Sequence, residues 1–254
     1  MRHWRGARRL SQQALADDAQ ISTRHLSCLE TGRARPSREM VLVLASALEV
    51  PLRERNTMLL AAGFAPAYRQ TDLDDPAMAS VRGAIHHLLR GAEPYGALVM
   101  DRRWDLVMAN RPWATMAEAL LGRPLQTGEN MLALVLRPDG LRPALHNAEV
   151  LIRGLLLRLH REAVATADPE LFALLEELCA IDGVPDDWRR DAWSHTPPVA
   201  MTVDVALGGQ VLSLFTTLTT LGTPTDVAAA ELRVEHYFPA DAATEAFLRA
   251  LHSS

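Results

Sequence analysis

The chain has 254 residues, 48% of them hydrophobic, enough for one large or two modest domains with buried cores. Two cysteines, Cys28 and Cys179, exclude a disulfide framework, and no apolar run reaches the roughly 18 residues of a membrane span. A formal charge of −5 argues against a generally basic nucleic-acid binder, but the charge is uneven: residues 1–70 hold 11 arginines against 6 acids, and residues 71–254 hold 15 against 25.

In chain order, Arg2 to Arg9 (RHWRGARR) predicts an arginine-rich helix that packs through Trp4. Leu10 to Gly32 (LSQQALADDAQISTRHLSCLETG) predicts two short helices joined by a tight turn, because Ser11 and Ser22 each stand where a hydroxyl caps a helix start. In the first of the two, Leu15 and Ala16 turn inward, and Gln12 and Gln13 lie at the exposed N-terminus. In the second, Ser22, Leu26 and Leu29 share one side and Arg24, Ser27 and Thr31 the other, with Thr23 and Cys28 at the margins. One face packs and the other is free to touch a partner. Ser37 caps a further helix with Met40, Val41, Leu44, Ala45 and Leu48 at helical spacing, and Leu52 to Ala62 supplies a fifth, ended by Gly63.

These caps, the Glu30-Thr31-Gly32 ending and the Arg33-Ala34-Arg35-Pro36-Ser37 loop resemble the helix-turn-helix of the phage-repressor (XRE/Cro) family over about seventy residues. The resemblance implies that the second helix lies in the major groove of a double-stranded DNA operator. Gln12, with Gln13 beside it, would then meet a phosphate, and Thr23, Arg24 and Ser27 would face base edges. Arg24 is the best candidate for a guanine, since its planar fork matches O6 and N7. Cys28, which replaces the polar residue common at that position, would share this surface, and Arg33 and Arg35 would lie beside backbone phosphates. A homodimer is expected, because one recognition helix reads only a few base pairs. The chain begins abruptly by comparison with that family, so a few residues are expected upstream of Met1.

Phe64 to Pro76 has proline near both ends and little periodicity. The expected domains are therefore residues 1–66, a linker over 67–76, and a second domain over 77–254. Ala77 to Arg90 predicts a helix with Met78, Val81, Ile85 and Leu88 on one stripe; its His86 and His87 diverge by about 100°, so they do not readily hold one metal together. From Ala97 the period shortens to that of a β-hairpin through Leu98, Met100, Trp104, Leu106 and Met108. Asn110 caps a helix running to Gly122, Leu145 to Ala165 predicts a long helix with Leu151, Leu155 and Leu159, and Asp168-Pro169 opens another. A shorter helix is expected over Asp186 to Trp193, then strands over Val199 to Ala206, Val211 to Leu221 and Leu232 to Phe238, and a last helix capped by Asp241. On the last strand Leu232, Val234, His236 and Phe238 occupy one face and charged or polar residues the other. The fold class is α+β: an all-α helix-turn-helix domain, then a PAS-like domain with a five-stranded antiparallel sheet and covering helices.

The runs VMDRRWDLVMANRPW, RPDGLRPALHNAE and TTLTTLGTPTDVAAAELRVEHYFPAD are similar to the ligand-binding domain of MmyB-like transcription regulators. That similarity implies a PAS-like domain holding a small apolar effector, a fatty acid in some members. Leucine-rich helices over a sheet are compatible with an apolar pocket and equally with a filled core. An amphiphile in such a pocket needs a few polar groups, and its carboxylate would be matched by Arg or by a His and Asn pair. His146, Asn147 and Arg153 are the candidates at the start of the long helix, with His146 and Arg153 seven apart on one face. Leu151, Trp104, Phe215 and Thr217 are candidate walls.

No G-x-S-x-G, phosphate-binding glycine loop, H-E-x-x-H or metal-spaced Cys/His cluster occurs, so no enzyme activity, metal or cofactor is expected beyond such a ligand. The sequence therefore predicts a soluble, cytoplasmic, sequence-specific DNA-binding regulator gated by a small apolar effector, without a membrane segment. The alternatives are a regulator whose C-terminal domain only dimerises or binds protein, and an enzyme that retains a DNA-binding domain.

Overall fold

The computed structural model describes residues 1–189 and 201–253. It divides into two units, Met1–Thr71 with Thr223–Ala230, and Asp72–Gly222 with Glu231–Ser254. In the first unit the helices are α1 (Arg2–Ala7), α2 (Gln12–Asp18), α3 (Thr23–Glu30), α4 (Arg38–Ala47) and α5 (Leu52–Ala61). The hydroxyls of Ser11, Ser22 and Ser37 accept from the backbone N–H of Ala14, His25 and Met40 at 3.0, 3.1 and 3.1 Å, so each of α2, α3 and α4 starts where a side chain satisfies a free donor. Behind the caps Trp4, Leu15, Leu26, Leu29, Leu44 and Leu48 share one core. Burial of each leucine contributes about 2 kcal/mol.

The first unit also takes in a segment that the sequence reading assigned to the second domain. After α5 the chain folds back on Asn56, which bonds the backbone of Ala67 and Tyr68, and reaches Thr71, whose amide and hydroxyl donate to Asp226 at 3.1 and 2.6 Å. The amide of Val227 donates to the carbonyl of Arg69 at 2.8 Å. Val227 and Ala229 are buried.

In the second unit α6 (Ala79–Gly91) precedes the hairpin β1 (Ala97–Met100) and β2 (Leu106–Ala109). The helices α7 (Arg111–Leu121), α8 (Met131–Leu136), α9 (Ala148–Thr166) and α10 (Pro169–Cys179) follow. Then come β3 (Thr202–Leu207), β4 (Gln210–Thr219), α11 (Val227–Glu231, begun in the first unit), β5 (Arg233–Pro239) and α12 (Ala242–Ser253). Among the described residues the strands form one sheet in the order β2-β1-β5-β4-β3, with every neighbouring pair antiparallel. The sequence connectivity of hairpin, helices and meander is thus closed by pairing β1 with β5, in the PAS-type order.

Strand alternation divides the sheet between two cores. On one face Val99 and Val234, paired across β1 and β5, pack with Ile85 and Leu89 of α6. On the other, Leu98, Met100, Val205, Leu212 and Leu214 meet α7, α8, α9 and α10. The charged and polar row of β5, Arg233, Glu235 and Tyr237, lies on the face opposite Val234 and turns toward this larger core. The helix α8 was not anticipated, because MLALVL is a continuous apolar run without helical periodicity. The helix expected over Asp186 to Trp193 begins as turns over residues 186–189, and its remainder lies outside the described residues, as does the start of the strand expected from Val199.

Candidate functional site

Within the first unit, α3 presents two chemically distinct sides. Leu26 and Leu29 are buried, Arg24 is exposed, and Thr23, Ser27 and Cys28 are half-buried. The carbonyl of Cys28 accepts from the amides of Arg33 and Ala34 at 2.9 and 3.2 Å, which folds the following loop back and leaves Arg33 and Arg35 exposed. Among the described residues no acceptor engages the side chains of Arg24, Arg33 or Arg35. Three guanidinium groups free of internal partners are what phosphate and base-edge contacts require. The two helices of the motif are joined at their starts, where the Thr23 hydroxyl donates to Gln13 Oε1 at 2.6 Å. Gln12 Nε2 donates to Glu30 Oε2 at 2.7 Å, and Arg5 donates to both Glu30 oxygens at 2.8 and 2.9 Å. The Arg5 guanidinium holds the Glu30 carboxyl below the ordinary glutamate range, against the opposing effect of burial.

In the second unit, the larger core is not filled. A cavity of about 130 Å³ lies between the inner sheet face and the helices α7, α8 and α9. Its walls are apolar, with Trp104, Met100, Met116, Met131, Leu151 and Met201 among them. Gly154 lies against it as well, and a Cβ there would come within 2.8 Å of Met201 Cε, so the glycine makes the room that this methionine occupies. Four polar side chains face the same space: Arg158 of α9, Thr216 of β4, and Glu235 and Tyr237 of β5. The Arg158 guanidinium carbon stands 4.5 Å from the Trp104 ring centroid, and among the described residues it has no hydrogen-bond acceptor. Burial pulls its pKa down, opposed by the charge of Glu235. Burial pushes the Glu235 carboxyl up, opposed by Arg158 and by the Tyr237 and Thr216 hydroxyls; the Tyr237 hydroxyl donates to Glu235 Oε2 at 3.0 Å. Trp104 takes a left-handed backbone angle, φ +67°, held by its amide donating to Asp101 and its carbonyl accepting from Met131. Its buried indole N–H meets no acceptor among the described residues.

A family model for the MmyB-like transcription regulator ligand binding domain matches residues 81–251, and a helix-turn-helix model matches residues 1–58. The chain belongs to the MmyB-like family of transcription regulators. An MmyB-like ligand-binding domain behind a helix-turn-helix is the organisation of a DNA-binding transcription regulator with a PAS-like sensing domain. No curated protein matches the sequence. Among solved structures, the PAS domain of Bordetella pertussis BvgS matches at 15% identity over 68% of this chain and 96% of that one, with a TM-score of 0.31. An RNA-binding light-oxygen-voltage receptor matches at 14% identity over 98% of this chain and 59% of that one, with a TM-score of 0.31. Among the described residues no helix is long and apolar enough to cross a membrane.

In this MmyB-like regulator, Trp104 and Leu151 of the expected pocket residues line the cavity, and the others do not. Phe215 and Thr217 alternate onto the opposite face of β4, where Phe215 stacks on Phe238 at 5.5 Å; the walls from this strand are Leu214 and Thr216. Arg153 turns away to Glu149 and Asp187, 3.0 and 2.8 Å from their carboxylates. His146 precedes the first helical residue, Ala148, so the seven-residue spacing to Arg153 does not place the two on one helical face. Its amide donates to the Asp204 carbonyl, and the Asn147 side chain bridges Thr202 and Asp204, docking the entrance of α9 onto β3. The sequence does not single out any of the polar side chains at the cavity, Arg158, Thr216, Glu235 and Tyr237, and Arg158 is the one with a local signal. Leu151, Gly154, Leu155 and Arg158 recur at helical spacing on one stripe, and an arginine interrupting an apolar stripe was the available signal.

Proposed function

We propose that this regulator binds its operator through α3 and that a small amphiphile in the cavity controls it. The apolar tail lies among the methionine and leucine walls, and an anionic head such as a carboxylate rests on Arg158. The observation that carries this reading is an arginine facing an apolar cavity with no acceptor among the described residues. A guanidinium so placed recovers its lost hydration by a bidentate bond to a carboxylate. Cavities of about 150 Å³ accommodate a ring the size of benzene. Four unbranched methionine side chains around this one, of about 130 Å³, adapt to a longer chain, and a medium-chain fatty acid is the preferred ligand. The protein acts as a cytoplasmic homodimer, because the eight residues of α3 reach few base pairs and two-fold pairing doubles them.

The test has two arms. Sodium octanoate is titrated into the full chain and into Arg158→Met, with the expected affinity loss at least tenfold in the variant. A duplex selected from a random library then reports whether octanoate changes DNA affinity. Equal octanoate binding by both proteins, or no enriched duplex, overturns the reading. If neither octanoate nor octanol binds, the second domain works through protein contacts alone.

A further inference from the structure

The cavity that receives a carboxylate in this reading already contains one. Glu235 sits on the central strand β5, 8% exposed, in a cavity whose other polar side chains are Arg158, Thr216 and Tyr237 among apolar walls. The titratable and charged groups that face it or its partner are Arg158 and Glu162 from α9 and Arg233 and Tyr237 from β5 itself. Two of these are committed elsewhere, since Arg233 and Glu162 form their own ion pair. Among the described residues, Glu235 is therefore the carboxylate that lines the cavity together with Arg158, and its charge, ahead of that of Glu162, opposes the effect of burial on the guanidinium.

A ligand carboxylate that takes Arg158 leaves Glu235 as a second, uncompensated negative charge in the same low-dielectric space. Two carboxylates in such a site cannot both stay ionised, and the less costly outcome is one proton held between them. We infer that Glu235 makes this cavity a proton-coupled carboxylate site: the ligand anion binds together with one proton from solvent, which Glu235 and the ligand carboxyl share. The charge balance closes, with one anion and one proton entering, one guanidinium and one residual negative charge on the carboxyl pair. Burial, which already raises the Glu235 carboxyl, acts in the same direction. The inference rests on the amphiphile reading above and adds the ligand's state of protonation and a selectivity for carboxylic acids over permanently charged anions such as alkyl sulfates.

The experiment is an octanoate titration of the full chain by calorimetry between pH 5 and 9, in two buffers of different ionisation enthalpy, with Glu235→Gln alongside. In the native protein the affinity is expected to fall as pH rises above the Glu235 pKa of the empty cavity, approaching about tenfold per unit, with uptake of close to one proton. Glu235→Gln keeps the size and hydrogen-bonding capacity of the side chain and is expected to bind octanoate with no dependence over the same range and no proton uptake. Tyr237→Phe removes a hydrogen bond to the Glu235 carboxylate, raises its pKa, and moves the onset of the fall to higher pH; it serves where Glu235→Gln does not fold. Identical pH profiles for the native protein and Glu235→Gln, or an onset unmoved in Tyr237→Phe, overturn the proton coupling while leaving the amphiphile reading intact. Octanoate binding to neither protein at any pH overturns both.

Discussion

Asp226 accepts from both the amide and the hydroxyl of Thr71, residues 155 positions apart, and so fastens the β4–β5 connection to the end of the DNA-binding unit. The strands on either side of that connection, β4 and β5, supply Thr216, Glu235 and Tyr237 to the cavity.

Loss of this fastening is expected to loosen the tail without unfolding the sheet. Asp226→Ala removes charge-assisted bonds worth about 1–2 kcal/mol together. Hydrogen exchange at the Thr71 amide is expected to quicken by roughly tenfold, while β1 and β5 keep their protection. Burial disfavours the Asp226 carboxylate, but the bonds from Thr71, Ala228 and Ala229 outweigh it and hold its pKa below the ordinary value. The stabilisation is thus complete above about pH 4 and disappears as pH falls through the lower folded value. An exchange rate at Thr71 that is the same in both proteins contradicts the assignment.

Arg5 is expected to be a stability residue. The Glu30 side chain is 2% exposed, and Arg5→Ala would leave its charge buried with Gln12 as its remaining side-chain donor. The expected cost is about 3 kcal/mol in the unfolding of the first unit, followed by exchange in α2 and α3. The deficit should shrink below about pH 4, because protonation makes Glu30 neutral. A variant equally deficient at pH 3 and pH 7 would argue against this ion pair as the cause.

On DNA, the exposed arginines are expected to divide by task. With a selected duplex, Arg24→Ala is expected to cost about 1–3 kcal/mol and to relax discrimination at one base pair. Arg33→Ala should weaken selected and random duplexes alike and lower the salt slope by about one. Matching losses on both duplexes for both variants would contradict the orientation of α3.

Gly154→Leu is expected to close the cavity. The new side chain must displace the flexible end of Met201, and replacing a mid-helix glycine recovers about 1 kcal/mol of helix propensity. The thermal midpoint should hold or rise while octanoate binding disappears. Undiminished binding would place the ligand elsewhere.

Much of this molecule was legible from local rules. Ser11, Ser22, Ser37 and Asn110 cap the helices expected of them, since a cap is decided by a side chain and an amide three residues away. The two sides of α3 follow from the 3.6-residue period, and the order of strands and helices from changes of period along the chain. Periodicity says that a strand has two faces, but not which one is covered. Phe215 and Thr216 exchange roles on that undetermined choice, and the charged and polar row of β5 faces inward because α6 covers its apolar side. For the same reason Arg158 rather than Arg153 reaches the cavity, and Thr223–Ala230 joins the first unit through partners more than 150 residues away. Capping and periodicity act within a few residues, so the sequence alone determined most of the elements, α8 and α11 excepted. Which faces meet depends on packing among distant segments, and that the tertiary structure decided.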